Sequence, residues 1–482
     1  MGKILEKYRK FPVQIKASFW FLICSVLQRG ISVITTPIFT RLLTTSEYGE
    51  YNTFNSWWSI INVFVSLHLF SGIYTQGLVK FDETKHKYSS ALQGLTLTLV
   101  LAWTAIYFIF QDQVNGLLHL TTLQMVALFV MIWTSAVFNF WASAQRVNYK
   151  YQRLVALTLI VSFAKPILGI FLVTHFEDKV TARILGIAGV ELICYLGLFI
   201  SQMTKGKTFF SKEIWKYGLT LSIPLIPHYL SQTILNNSDR IMIERLVDSS
   251  SAGIYSLAYS LSMIMTLFNS ALLQTLDPWI YQKIKAKKTR EIGKVAYASL
   301  GMIGVINLLL IILAPEIVRI FAPIEYHEAI WVIPPVAMSV YFLFAYNLFA
   351  DFEFYFEKTK SLAFATMVGA VLNIFLNYIF IRIFGYVAAG YTTLVCYVLY
   401  AVLHYLFMRN ICRTYLKGEQ PYNLKILLGI TILFLTLGFA TLATYNSTVI
   451  RYTFVALIVC GFALNFKKIK EIILQLKESN RY

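Results

Sequence analysis

Arg41-Leu42-Leu43-Thr44-Thr45-Ser46-Glu47-Tyr48-Gly49-Glu50-Tyr51 returns as Arg245-Leu246-Val247-Asp248-Ser249-Ser250-Ser251-Ala252-Gly253-Ile254-Tyr255, an R-L-x6-G-x-Y pattern offset by 204 residues. Each copy begins where a long apolar stretch ends and runs into the next one. A looser echo pairs Ala188-Gly189 and Cys194-Tyr195 with Ala389-Gly390 and Cys396-Tyr397 at about the same offset. Six apolar stretches separate the two copies of the motif. Six is even, so both halves enter the membrane in the same sense, which describes a parallel repeat about an axis along the membrane normal.

The stretches themselves set the class. A helix crossing about 30 Å of hydrocarbon needs about 20 mainly apolar residues. Such runs occupy 15–40, 50–78, 88–110, 117–144, 152–175, 181–203 and 214–238, then 253–277, 295–322, 328–351, 361–384, 387–411, 424–445 and 449–466. The reading is an all-α integral membrane protein of about 14 transmembrane helices. An N-lobe (15–203, helices 1–6) and a C-lobe (214–411, helices 7–12) are joined by a linker at 204–213. Two further helices follow at 424–466, and basic segments at 1–14 and 467–482 flank the whole. At 57% hydrophobic and 14% charged residues the chain is too apolar for a soluble domain. The runs are continuous rather than alternating, which argues against a β-barrel. No short apolar segment with a small-residue cleavage site precedes the first run, so that run reads as a retained helix.

Charge orients the chain. Most of the 42 Lys and Arg fall in every second gap, from Lys3, Lys7 and Arg9 through Lys205–Lys216 and Lys283–Lys294 to the tail. Cytoplasmic loops keep excess cations, so those gaps and both termini read as cytoplasmic. The net charge of +18 is spread over short inter-helix clusters and forms no continuous stripe, which fits a membrane surface and no nucleic acid. Five cysteines without C-x-x-C spacing and seven scattered histidines offer no disulfide, metal or catalytic constellation. H-E-x-x-H and paired acidic motifs are missing and no gap could house a catalytic domain, so the chain reads as a transporter and not an enzyme.

Several runs are polar along one face. Ser18, Ser25, Arg29, Ser32 and Thr36 share a side of the first helix, and Asn55, Ser59, Asn62 and Ser66 a side of the second. Thr158, Ser162, Lys165 and Gly169 do so in the fifth, and Thr220, Pro224, His228 and Ser231 in the seventh, which Pro224 and Pro227 should break. Hydroxyls often bond their own helix, so one stripe carries little; four with two cations point to a wet cavity, expected between the lobes. Lys165 and Glu191 lie about thirteen residues either side of the turn near Asp178, hence at similar depth. They read either as a structural ion pair, or as a substrate cation and a carboxylate carrying a coupling ion. Arg41, Asp239, Arg240 and Arg245 fall at the external end, as gate residues or as interfacial anchors. Asp277-Pro278 reads as a helix stop.

Gln28-Arg29-Gly30, Pro37, Thr40-Arg41-Leu42-Leu43 and Glu47-Tyr48-Gly49 resemble the opening of Wzx-type polysaccharide flippases. So does Asn237-Ser238-Asp239-Arg240-Ile241-Met242-Ile243, running on to Ala252-Gly253-Ile254-Tyr255, as do Asn373, Asn377, Phe384-Gly385-Tyr386 and Ala388-Ala389-Gly390. The resemblance covers about residues 12–412, with the Asp-Arg segment its most specific part. It implies the two-lobed fold and alternating access of the multidrug/oligosaccharidyl-lipid/polysaccharide exporter superfamily. On that basis the expected function is translocation of an undecaprenyl-diphosphate-linked oligosaccharide across a bacterial cytoplasmic membrane, for capsule, O-antigen or a related glycan. Arg29 is then the first candidate for the diphosphate, since guanidinium forks phosphate oxygens. Lys165, His228 and Asn62 are the further cavity candidates. No cofactor is called for, although coupling to H+ or Na+ would suit Glu191. Expected partners are the lipid-linked glycan, membrane lipids, a polysaccharide polymerase and a chain-length regulator. The alternatives within the superfamily are a peptidoglycan-precursor flippase and a multidrug or cation antiporter.

Overall fold

The computed structural model describes residues 12–464. Residues 1–11 of the basic N-terminal segment and the basic tail 467–482 lie outside the described residues. Helices account for the architecture, and the described residues contain no strand. In the first part of the chain these are α1 (Val13–Leu42), α2 (Thr45–Ser66), α3 (Gly72–Lys80), α4 (Lys85–Ile109), α5 (Gln111–Leu118), α6 (Thr122–Val147), α7 (Tyr151–His175), α8 (Lys179–Gly206) and α9 (Lys212–Ser222). They continue with α10 (Ile226–Leu246), α11 (Ser249–Met263), α12 (Thr266–Lys285), α13 (Thr289–Ile312), α14 (Ala314–Phe321), α15 (Ile333–Tyr355), α16 (Thr359–Phe384), α17 (Ala388–Tyr415), α18 (Leu424–Leu442) and α19 (Thr448–Leu464). Among the described residues 11 helices are long and apolar enough to cross a membrane, and Thr448–Ile458 is a shorter apolar one. The protein is a multi-pass membrane protein.

Four expected spans are interrupted. The run at 50–78 breaks after Ser66, where Leu67 (φ 49°) and His68 (φ 46°) turn left-handed before α3. The run at 214–238 is divided by a 3-10 turn, Ile223–Leu225: Pro224 and Pro227 lack the N–H groups that the preceding turn needs. The run at 253–277 breaks between Met263 and Thr266, and α12 then passes through Pro278 to Lys285, so Asp277-Pro278 is not a helix stop. The run at 295–322 parts at Leu313, with Pro315 opening α14 at a position where its missing N–H costs nothing.

Both motif copies fold into the same local device. Arg41 ends α1 and Thr44 caps α2: its hydroxyl accepts from Glu47 N at 3.2 Å, and the Glu47 carboxylate accepts from Thr44 N at 2.7 Å. Arg245 ends α10 and Asp248 caps α11, accepting from Ser251 N at 2.6 Å. Cap and arginine keep their three-residue spacing in both.

The chain divides into two compact units that part within α10, at Thr233 and Ile234. In the first, α8 packs against α4, α6 and α7, and α1 lies along α7. Gly169 and Gly186 allow the α7–α8 approach: a Cβ on Gly186 would meet Gly169 Cα at 3.1 Å. The outer faces carry exposed Ile167, Phe171 and Ile193, the surface expected where lipid is the solvent. In the second unit α15 is the central element, buried along most of its length by α13 and α17, with α16 on α17 and α18 on α13.

Candidate functional site

In the first unit α1, α2, α7 and α8 enclose a cavity of about 270 Å³. One face of α1 supplies Gln28, Ile31, Ser32, Thr35 and Phe39; Tyr51 comes from α2, Ser162, Lys165, Pro166 and Gly169 from α7, and Arg183 and Ile187 from α8. Pro166 has no N–H for the Ser162 carbonyl, so this turn of α7 keeps an acceptor outside the helical ladder. Across the cavity the Gln28 amide donates to Ser162 Oγ at 3.4 Å.

Two cations line it, held in different ways. Lys165 Nζ lies 2.6 Å from Glu191 Oε1, and the other oxygen of that buried carboxylate accepts from Thr134 Oγ1 at 2.7 Å. Glu191 is therefore engaged on both oxygens, and an unpaired carboxylate at this depth, which ion coupling through it required, is not what the fold contains. Arg183 has no carboxylate. Its guanidinium carbon lies 3.8 Å from the Phe39 ring centre and 3.5 Å from that of Tyr51, a flat cation between two aromatic faces. Its Nε and Nη1 are buried without a hydrogen-bond acceptor. A permanent cation in the wall of a polar cavity, with two donors unsatisfied among the described residues, suits an anion.

Arg183 is not among the candidates read from the sequence; it stands inside the first turns of α8. The rings that define its role come from α1 and α2, too distant in the chain for spacing to reveal. Arg29, the first candidate from sequence, is exposed on α1 beside Gln28 and is not among the cavity-lining residues. Asn62 is also outside the lining; it is buried, with Oδ1 unpartnered and its carbonyl accepting from Ser66. His228 stands past the 3-10 turn against Tyr229, ring centres 5.8 Å apart, and Tyr229 lies 4.9 Å from His68. It joins an aromatic cluster, not the cavity.

The second unit holds a polar cluster at the same motif. Asp239 on α10 is wholly buried, which removes it from any gate at the surface. Tyr255 OH donates to its Oδ2 at 2.6 Å and Thr393 Oγ1 at 2.9 Å, while Asn377 Nδ2 donates to Oδ1 at 2.6 Å. Asn373 Oδ1 accepts from Ser238 Oγ at 2.9 Å and from Asn377 at 3.2 Å, and Thr392 donates to Asn377 Oδ1. The neighbouring Arg240 acts on Asp239 through space but makes no salt bridge to it among the described residues. Its guanidinium lies 4.3 Å over Tyr259 and Nη1 donates to Asn236 O at 3.0 Å. The cluster is one carboxylate, two carboxamide oxygens and four hydroxyls, a hard-oxygen set of the type that holds alkali or alkaline-earth cations. Arg41 folds back onto its own helix, Nη1 to Pro37 O at 2.8 Å, and Arg245 is exposed at the end of α10.

Two helical units, each with a charged polar centre among apolar helices, define a membrane transporter of the multidrug/oligosaccharidyl-lipid/polysaccharide exporter superfamily, the flippases and antiporters. The chain belongs to the polysaccharide biosynthesis protein family, whose profile matches residues 15–284; the MatE profile matches residues 224–379. It is 22% identical over 447 residues to the probable low-salt glycan biosynthesis flippase Agl15 of Haloferax volcanii, covering 90% of this chain and 91% of that one. It is also 22% identical over 389 residues to Lsg locus putative protein 1 of Haemophilus influenzae, covering 74% and 89%. Among solved structures it is similar to the lipid II flippase MurJ in an inward closed conformation, with a TM-score of 0.72 at 15% identity over 93% of this chain and 99% of that one.

Proposed function

We propose that the protein flips a polyprenyl-diphosphate-linked oligosaccharide from the cytoplasmic to the outer leaflet of a bacterial cytoplasmic membrane, with both termini in the cytoplasm. The observation that carries this reading is Arg183 between Phe39 and Tyr51, two of its donors buried without an acceptor, in the wall of a cavity also lined by Lys165, Ser32, Thr35 and Ser162. Such a lining suits an anionic, hydroxyl-rich ligand. Guanidinium accepts a phosphate or an acidic sugar, and hydroxyls and aromatic faces accept neutral sugars. Hydrocarbon excludes a diphosphate and a glycan but not a polyprenyl tail, so a polar compartment is needed only for the head. A cationic drug would need a free carboxylate here, and Glu191 is committed to Lys165. The glycan flippase named among the relatives supports the same class of substrate. The test follows lipid-linked glycan in cells depleted of the native protein and supplied with wild type or Arg183→Ala. The wild type should clear it from the cytoplasmic leaflet and the variant should leave it there at normal protein levels. Wild-type export by the variant, or drug efflux without glycan export by the wild type, overturns the reading.

The coupling ion belongs to the second unit in this reading. Asp239 is buried without a salt-bridge partner among the described residues. A lone carboxylate in such a place is stabilised when a cation or a proton accompanies it; here Tyr255, Asn377 and Thr393 donate to it, and Asn373 and Thr392 extend the polar cluster through Asn377. A monovalent cation bound there would favour one conformation of the cycle over the other.

A further inference from the structure

At the end of the second unit that carries Lys358, Arg409 and Arg413 lies a buried pair that neither the glycan nor the Asp239 reading uses. Glu353 on α15 and His404 on α17 are both wholly buried, with Nδ1 of the imidazole 2.5 Å from Glu353 Oε1. Ser361 Oγ on α16 lies 2.5 Å from Glu353 Oε2 and 2.7 Å from Lys358 O, two acceptors for its one proton. Ser361 is half-buried and stands in the wall of a cavity of about 620 Å³, together with Lys358, Phe407, Asn410, Thr414 and Tyr415. An unbroken chain of hydrogen bonds thus runs from a polar cavity through a hydroxyl and a carboxylate to a sealed imidazole. His404 Nε2, at the far end of that chain, is buried with no partner.

We propose that Glu353 and His404 together form a proton-binding site, loaded from this cavity through the Ser361 hydroxyl. With one proton, on the Nδ1–Oε1 contact, the pair carries a net charge of −1 and Nε2 is a bare acceptor. With two protons, the second on Glu353 Oε2, the pair is neutral overall and Nε2 stays bare. The second proton passes from water in the cavity to Ser361 Oγ as the hydroxyl hands its own proton to Oε2, so one bond to hydrogen breaks for each that forms. A buried pair of net charge −1 is costly, and taking up this proton removes the charge. The groups that face the pair give it no fixed cation. Tyr346 of α15 and Tyr400 of α17 lie against the imidazole at 5.3 and 4.5 Å between ring centres, and Phe407 closes the third side at 6.2 Å. Thr366 of α16 engages Tyr400. Asp351 on α15 and Asp277 on α12 beside Tyr281 are each buried at one oxygen without a partner. Lys358 points its ammonium over Tyr415 at the cavity mouth, 5.1 Å from the ring centre, and Glu357 stands beside it.

The test is direct observation of the pair in the full-length protein reconstituted in liposomes. Histidine-labelled nuclear magnetic resonance should show one imidazole signal, lost in His404→Gln, that shifts as the neighbouring carboxylate takes up its proton when the vesicle pH is stepped from about 8 to about 5. Isotope-edited infrared difference spectra should show a carboxylate change in step with it, lost in Glu353→Gln. With the two sides of the vesicle held at different pH, the His404 signal should follow the side bearing Lys358, and Ser361→Ala should slow its response to a pH jump several-fold at an unchanged end point. A His404 signal constant over that range, one that follows the opposite side, or one that responds equally fast in Ser361→Ala overturns the proposal. Asp239→Asn should leave the His404 titration in place, which separates this site from the coupling cation.

Discussion

Tyr51 and Tyr255 each stand ten residues beyond the arginine of their motif copy, yet one ring lies 3.5 Å from the Arg183 guanidinium and the other hydroxyl donates to Asp239 at 2.6 Å. Thr35 and Asp239 are related by the same 204-residue offset, and each lines the centre of its own unit. The repeat has thus kept a frame, a capped helix start with a tyrosine aimed inward, and exchanged the charge that the tyrosine meets. One unit presents a cation to a cavity; the other buries an anion in oxygen ligands. On the proposed function, an anionic head group and a coupling cation would fall on separate copies of one frame.

Arg183 should be the most sensitive position in the first unit. Losing a charge-assisted hydrogen bond to an anionic ligand costs about 2 kcal/mol, about thirtyfold in affinity. Arg183→Ala should weaken binding of a lipid-linked glycan at least that much, and Tyr51→Ala less. Arg183→Lys should recover only part, because an ammonium keeps the charge but not the planar stack. Equilibrium binding to detergent-solubilised protein measures all three.

How far the sequence could go is visible in α1 and α8. The cavity-lining face of α1 is Gln28, Ile31, Ser32, Thr35 and Phe39, one residue and about 100° around the helix from Arg29. Polarity could not settle that phase. Ser25 and Thr36, which seemed to mark the wet face, spend their hydroxyls on their own helix, at Phe21 O and Ser32 O, both at 2.9 Å. The Lys165–Glu191 contact was readable, because counting from a turn fixes depth on antiparallel helices. Arg183 was not, since its role depends on rings brought from α1 and α2. Asp239 was misplaced for a related reason. Its helix runs on to Leu246, about 10 Å further at 1.5 Å per residue, so closeness in sequence to a surface motif did not put it at the surface.

The Lys165–Glu191 pair offers a test of structure against ligand binding. Breaking a buried pair by removing one partner costs 3–5 kcal/mol, and Lys165, with 30% of its side chain exposed, places this one at about the lower figure. Lys165→Met and Glu191→Gln should each lower the thermal midpoint in detergent, and the double variant should regain most of the loss. If Lys165 serves the substrate as well, the stable double variant will still export poorly; full export by it assigns the lysine to structure alone.

Gly186 should tolerate nothing larger. Its missing Cβ would lie 3.1 Å from Gly169 Cα, and backbone on a neighbouring helix cannot swing aside as a side chain can. Gly186→Val should cost on the order of 1–3 kcal/mol by forcing α7 from α8. It should also disturb Lys165 and Arg183, which flank that contact. Unfolding in detergent, compared with Gly189→Val on the same helix, where a Cβ meets nothing within 4 Å, isolates the effect.

Asp239→Asn should separate folding from coupling. Every group around the carboxylate donates to it in the structure, but Tyr255 and Thr393 can rotate their hydroxyls and Asn377 can turn its amide. A carboxamide of the same shape can therefore be accommodated at modest cost, while the charge that would hold a cation is gone. A ligand bound only to the folded state raises its stability by RT ln(1 + [L]/Kd), about 1.4 kcal/mol at ten times Kd. The wild type should rise in thermal midpoint as Na+ replaces choline at constant ionic strength, and Asp239→Asn should stay flat. Equal rises in both place the cation elsewhere. If neither responds to Na+, yet a pH gradient drives glycan flipping into proteoliposomes for the wild type and not for Asp239→Asn, the ion at this carboxylate is the proton.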